Sequence, residues 1–82
     1  MKAIKLDYRH TLKRRGYDYA FMFRPSTSKT WAVEDAVRKL EGYGWLTNHT
    51  FYGKIKNGVR PYYVGFRKES TATMVLLKVG VE

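Results

Sequence analysis

The chain has 82 residues, with sixteen Lys and Arg against seven Asp and Glu and a net charge of +9. That length holds one domain with one small core. The charge excludes an acidic nucleic-acid mimic and favours a polyanion or an acidic protein face as partner. With no cysteine, disulfides, zinc fingers, iron–sulfur sites and thiol catalysis are excluded, and a small chain without such staples fits a reducing cytoplasm. Met1 to Asp7 has no apolar run of signal-peptide length, and no stretch approaches the ~20 apolar residues of a membrane span. The expectation is a cytoplasmic protein with no membrane partner.

From Ala3 to Tyr8, the residues Ile4, Leu6 and Tyr8 alternate with Lys5 and Asp7, the period of a half-buried strand. Arg9 to Gly16 reads as a basic loop closed by a glycine. In the next strand, Tyr17, Tyr19, Phe21 and Phe23 share one face, and Pro25 ends it. Ser26 to Thr30 offers several N-caps for a helix running to about Glu41. There Val33, Ala36, Val37 and Leu40 form one apolar stripe, and Gly42 or Gly44 supplies the stop.

Trp45–Ile55 and Val59–Phe66 read as a hairpin about Asn57-Gly58, the strongest short turn signal. A two-residue turn there pairs Lys56 with Val59. Carried along the arms, that register sets Phe51 opposite Val64 and His49 opposite Phe66. On the other side it sets Tyr52 opposite Tyr63 and Asn48 opposite Arg67. Pro61 then belongs to an edge strand or a strand end. Over Ser70–Val79, the residues Ala72, Val75, Leu76 and Val79 recur at helical spacing, with Ser70 as cap and Gly80 as stop. The β-branched Thr71, Thr73, Val75 and Val79 also suit a strand; periodicity favours the helix. The sum is a single α+β domain in the order β-β-α-β-β-α. It has an antiparallel sheet of about four strands, one main helix and a short C-terminal helix. The second face of the sheet is left partly open, and a homodimer would help stabilise so small a core.

Two groups of residues suit a nucleic acid. Arg9, Lys13, Arg14 and Arg15 cluster in the basic loop, where Gly16 lets the backbone approach a phosphate. On the hairpin the derived register sets Tyr52, Lys54, Lys56, Tyr63 and Arg67 on one face, where unpaired bases stack on tyrosine while cations hold the backbone. The simpler alternatives are a solvated loop and a structural tyrosine pair. His10 and His49, with several basic residues, form a set for metal-independent RNA cleavage by acid–base chemistry, but no motif joins them; the simpler reading makes His10 an extra donor in the basic loop and His49 a core-facing side chain. No metal-ligand spacing, phosphate loop or nucleophile elbow is present, so no cofactor is expected.

From Phe66 onward the chain resembles the ending of small accessory proteins of large T-even-type tailed phages, through Phe66, Ala72, Val75, Leu77, Val79 and Gly80. The resemblance implies a short helix packed on a sheet, a phage origin and action against host machinery or host defence. Small RNA-binding inhibitors of host endoribonuclease toxins from toxin–antitoxin systems are among such proteins. The reading that combines these features is sequence-tolerant RNA binding in host takeover or anti-defence, without catalysis. Its alternatives are an inhibitor docking its basic face on an acidic host protein without nucleic acid, and a small metal-independent ribonuclease.

Overall fold

The computed structural model describes residues 2–23, 30–44 and 48–79. The expected strand stop Pro25, the cap residues Ser26–Lys29, the strand start Trp45–Thr47 and the helix stop Gly80 lie outside the described residues. The elements are β1 (Lys2–Lys5), α1 (Thr11–Arg14), β2 (Tyr19–Phe23), α2 (Thr30–Glu41), β3 (Thr50–Tyr52), β4 (Tyr62–Phe66) and α3 (Glu69–Val79). The four strands form one antiparallel sheet in the order β1-β2-β4-β3. The α+β class and the expected order hold, with one added helical turn between the first two strands.

β2, apolar on one side through Phe21 and Phe23 and on the other through Ala20 and Met22, is one of the two inner strands of the sheet, and its register carries the core across the strands. Phe21 lies beside Val64 and Tyr19 beside Phe66. On this face Phe21, Val64 and Phe66 are fully buried under Val33 and Val37 of α2 and Val75 of α3. Side chains of this kind contribute about 1.5–3 kcal/mol each on full burial. The last segment is thus the helix its periodicity predicts, with Val75 fully buried and Ala72 and Val79 packed against the core. Glu41, at the end of α2, fastens the start of α3. Its carboxylate accepts the backbone N–H of Arg67 (2.8 Å) and of Lys68 (3.0 Å), the Thr71 hydroxyl and the Tyr43 hydroxyl.

Three expectations are corrected on the opposite face. First, the basic segment is not an open loop. Leu12 is fully buried and winds Thr11–Arg14 into one turn of helix. His10 caps that turn, its Nδ1 accepting the Leu12 N–H at 3.1 Å. Gly16 does close the segment, at φ +102°, a conformation that costs a glycine little. Second, the outer strands are shorter than their alternation suggests. β1 ends at Lys5, which leaves Tyr8 in a turn with 77% of its surface exposed. Tyr17 leaves the Tyr19–Phe21–Phe23 stripe and joins Leu6, Leu12 and Ala20 in a second buried cluster. Gly65 admits it, since a Cβ there would meet Tyr17 Cγ at 3.1 Å.

The third correction is the hairpin register. The turn forms as expected, with Asn57 and Gly58 at positive φ and Lys56 and Val59 exchanging both backbone hydrogen bonds. One step further the Gly53 N–H donates to the Pro61 carbonyl at 2.8 Å. Lys54 and Ile55 therefore oppose the single residue Arg60, which is a β-bulge. Proline has no N–H for the ladder, and its ring needs a partner without a side chain. A Cβ on Gly53 would sit 2.9 Å from Pro61 Cγ and 3.0 Å from Tyr63 Cε2, so glycine is the residue that fits. Beyond the bulge the pairs are Tyr52 with Tyr62, Phe51 with Tyr63 and Thr50 with Val64. A slip of one residue exchanges the faces of every side chain on the arm.

Candidate nucleic-acid interface

That slip determines what the open face of the sheet displays. Met22, Tyr63 and Phe51 are successive cross-strand partners and form a half-buried row there. α1 covers only part of this face, through Leu12. Beside it a groove of about 290 Å³ is lined by Arg9, His10 and Thr11 on one side and by Gly53, Lys54, Lys56 and Pro61 on the other. Phe51 and Tyr63 also line it. The bulge carries Lys54 and Lys56 to this wall, while the hydrogen-bonded cap places Arg9 and His10 opposite.

The aromatic rings are fixed against one another. The His10 imidazole stands edge-on to Tyr63 (centroids 4.7 Å apart, 82°) and to Phe51 (5.7 Å, 70°). Arg15 ties the end of α1 to the β3 arm, donating to the carbonyl of Thr50 at 3.2 Å with its Cζ 5.8 Å from the Phe51 ring centre. Burial lowers the His10 pKa below its usual 6.5, opposed by the nearby Asp7 carboxylate. A neutral imidazole is the form whose Nδ1 can accept the Leu12 N–H. Asp7 is held below the usual carboxylate range, first by the Arg9 backbone N–H donating to it and then by the Arg9 charge.

Of the residues picked out on the sequence, Arg9, Lys54, Lys56 and Tyr63 meet in this groove. Arg14 is exposed at the end of α1. Lys13 is engaged by Asp18 in an ion pair, and the Arg15 guanidinium by backbone carbonyls. Tyr52 and Tyr63 do not share a face. Tyr52 lies on the helix-bearing side, its ring 4.5 Å from that of Tyr62, whose hydroxyl donates to Glu34. Arg67 is at the far end of β4, its Cζ 5.4 Å from the Tyr17 ring centre and 5.3 Å from that of Tyr43. His49 is buried with its ring 5.1 Å from Tyr43, in surroundings different from those of His10.

The sequence reading missed Phe51, which the derived register sends into the main core, and Tyr8, which simple alternation buries. The signal for Phe51 was the pairing of Pro61 with Gly53, which calls for a bulge. Among the described residues no cluster of His, Asp or Glu could hold a metal ion, and no helix is long and apolar enough to cross a membrane. No known protein family, curated protein or solved structure matches the chain.

Proposed function

We propose that the protein binds RNA with little regard to sequence, through the groove beside α1. The observation that supports this is the convergence of Arg9, Lys54 and Lys56 on a floor of Phe51 and Tyr63. Cations fix phosphates without reading sequence, and aromatic faces accept any base. The net charge of +9 adds a long-range attraction that speeds encounter with a polyanion. The resemblance of the C-terminal segment to phage accessory proteins supports reading this activity as host takeover or anti-defence, where coating RNA would keep an endoribonuclease toxin from its substrate.

Fluorescence anisotropy with labelled single-stranded RNAs of unrelated sequence tests the proposal. Arg9, Arg14, Lys54 and Lys56 engage about four phosphates. Log affinity then falls with log salt at a slope near −3, from about −0.7 per phosphate on a single strand. A flat salt response removes the proposal, and tighter binding of a matched DNA strand assigns the groove to DNA instead.

A further inference from the structure

We infer that the groove and Tyr8 together hold two successive unpaired nucleotides of an RNA strand. One base lies against the Phe51–Tyr63 floor, the next on Tyr8, and Arg9 meets the phosphate between them. The inference rests on the RNA-binding reading and specifies the strandedness and seating of its ligand.

Arg9 joins the two places. It lines the groove, and its Cζ lies 5.7 Å from the centre of the Tyr8 ring. Tyr8 is 77% exposed and offers an open aromatic face of the kind on which bases stack. The groove's volume of about 290 Å³ lies just below the roughly 300–1,000 Å³ typical of small-molecule sites. It suits one nucleobase and is far too small for a helix. In duplex RNA the bases are stacked inside, behind a major groove too narrow for side chains to read. A duplex would reach the rim cations but not the aromatic floor.

Two groups oppose the arrangement: the His10 imidazole, which already stands edge-on to both floor rings and leaves a base only their remaining surface, and the Asp7 carboxylate, which holds the Arg9 guanidinium at 3.4 Å. Both side chains of that pair are well exposed, at 74% and 60%, and such pairs are weak. A phosphate with a second cationic wall at Lys54 and Lys56 can displace it.

The test uses the full chain and a single-stranded RNA carrying 2-aminopurine at one position, alone or annealed into a duplex. The single strand should bind at least about 5-fold more tightly than the duplex, and the 2-aminopurine fluorescence should be quenched on binding. Tyr8→Ala should weaken single-strand binding by about 5- to 150-fold, the loss of one stacked base, while Tyr8→Phe stays close to wild type. Asp7→Asn should tighten binding. Tyr8 is exposed, so its variants should keep the fold, and circular dichroism checks this. Equal binding of duplex and single strand, with Tyr8→Ala unchanged and a steep salt slope retained, overturns the two-nucleotide seat and leaves RNA binding standing. Absence of binding to any nucleic acid overturns both.

Discussion

On one face of the sheet Phe21, Val64 and Phe66 lie under two helices of eleven and twelve residues. On the other, a single helical turn anchored by Leu12 leaves Phe51, Tyr63 and Met22 half open. Both faces are rich in aromatic residues, so composition does not set them apart. The difference is coverage. The first face has long apolar stripes above it, which bury Phe21, Val64 and Phe66 completely. The second is roofed by a segment whose remaining residues are mostly Arg, Lys and His, and which cannot close over it. Aromatic surface left at the rim of clustered cations is the combination that suits an RNA strand.

The two faces should respond differently to substitution. The largest effect is expected from Phe66→Ala, which empties a fully buried site. It should cost about 3–5 kcal/mol out of a total of about 5–15, read as a large fall in the urea midpoint. Tyr63→Ala, on the half-open face, should cost only about 1–2 kcal/mol of stability while RNA affinity drops by about 1–3 kcal/mol. Equal stability losses for the two would erase the distinction between the faces.

Glu41 sharpens the comparison, because it fastens the helices that cover the closed face. Glu41→Ala leaves two backbone N–H groups and two hydroxyls without their acceptor, at a cost of about 2–3 kcal/mol, with RNA affinity unchanged in the folded fraction. Burial pushes the Glu41 pKa up, but the bonds from Thr71, Tyr43 and the Arg67 and Lys68 backbone outweigh it and hold the carboxyl below its usual 4.5. A lowered folded pKa means that the unfolded state binds the proton more readily. The stabilisation is therefore complete above about pH 4.5 and is lost as pH falls below it. Unfolding melts between pH 6 and 3 should show this, with a shallower decline in Glu41→Gln.

A smaller pH effect belongs to the open face. The folded pKa of His10 is below its usual 6.5, so again the unfolded state is protonated first. Stability should be highest above pH 6.5 and decline as pH falls through the folded value, since protonation removes the Nδ1 acceptor that caps α1. His10→Gln should flatten that part of the profile. The smallest expected effect is Tyr52→Ala. Tyr52 is 57% exposed on the helix-bearing side, and its removal should change RNA affinity by less than about 0.5 kcal/mol.

The closed face was legible in the sequence because its rules are periodic. Val33, Ala36 and Val37 recur at helical spacing, Phe21 and Phe23 at strand spacing, and the structure buries all five. The open face depends on irregularities that periodicity cannot register. Pro61 and Gly53 shift the hairpin by one residue, and a single buried leucine turns a basic loop into a helix. Alternation through Tyr8 and Tyr17 continued on paper past the point where the strands end. The Asn57-Gly58 turn set the tip of the hairpin correctly and could not reveal that the arms change register two residues later. Tyr63, Lys54 and Lys56 were picked out together on the sequence, but Phe51 joins them in the groove only because of the bulge.

The most direct test of the open face as the RNA site is ultraviolet cross-linking of a 4-thiouridine-containing single-stranded RNA to the wild-type protein, with adducts located by peptide mass spectrometry. Adducts are expected at Tyr8, Phe51 and Tyr63, reduced as salt is raised. Adducts concentrated at Tyr52 and the exposed Trp31 of α2, with none at Phe51 or Tyr63, would contradict the open face as the RNA site.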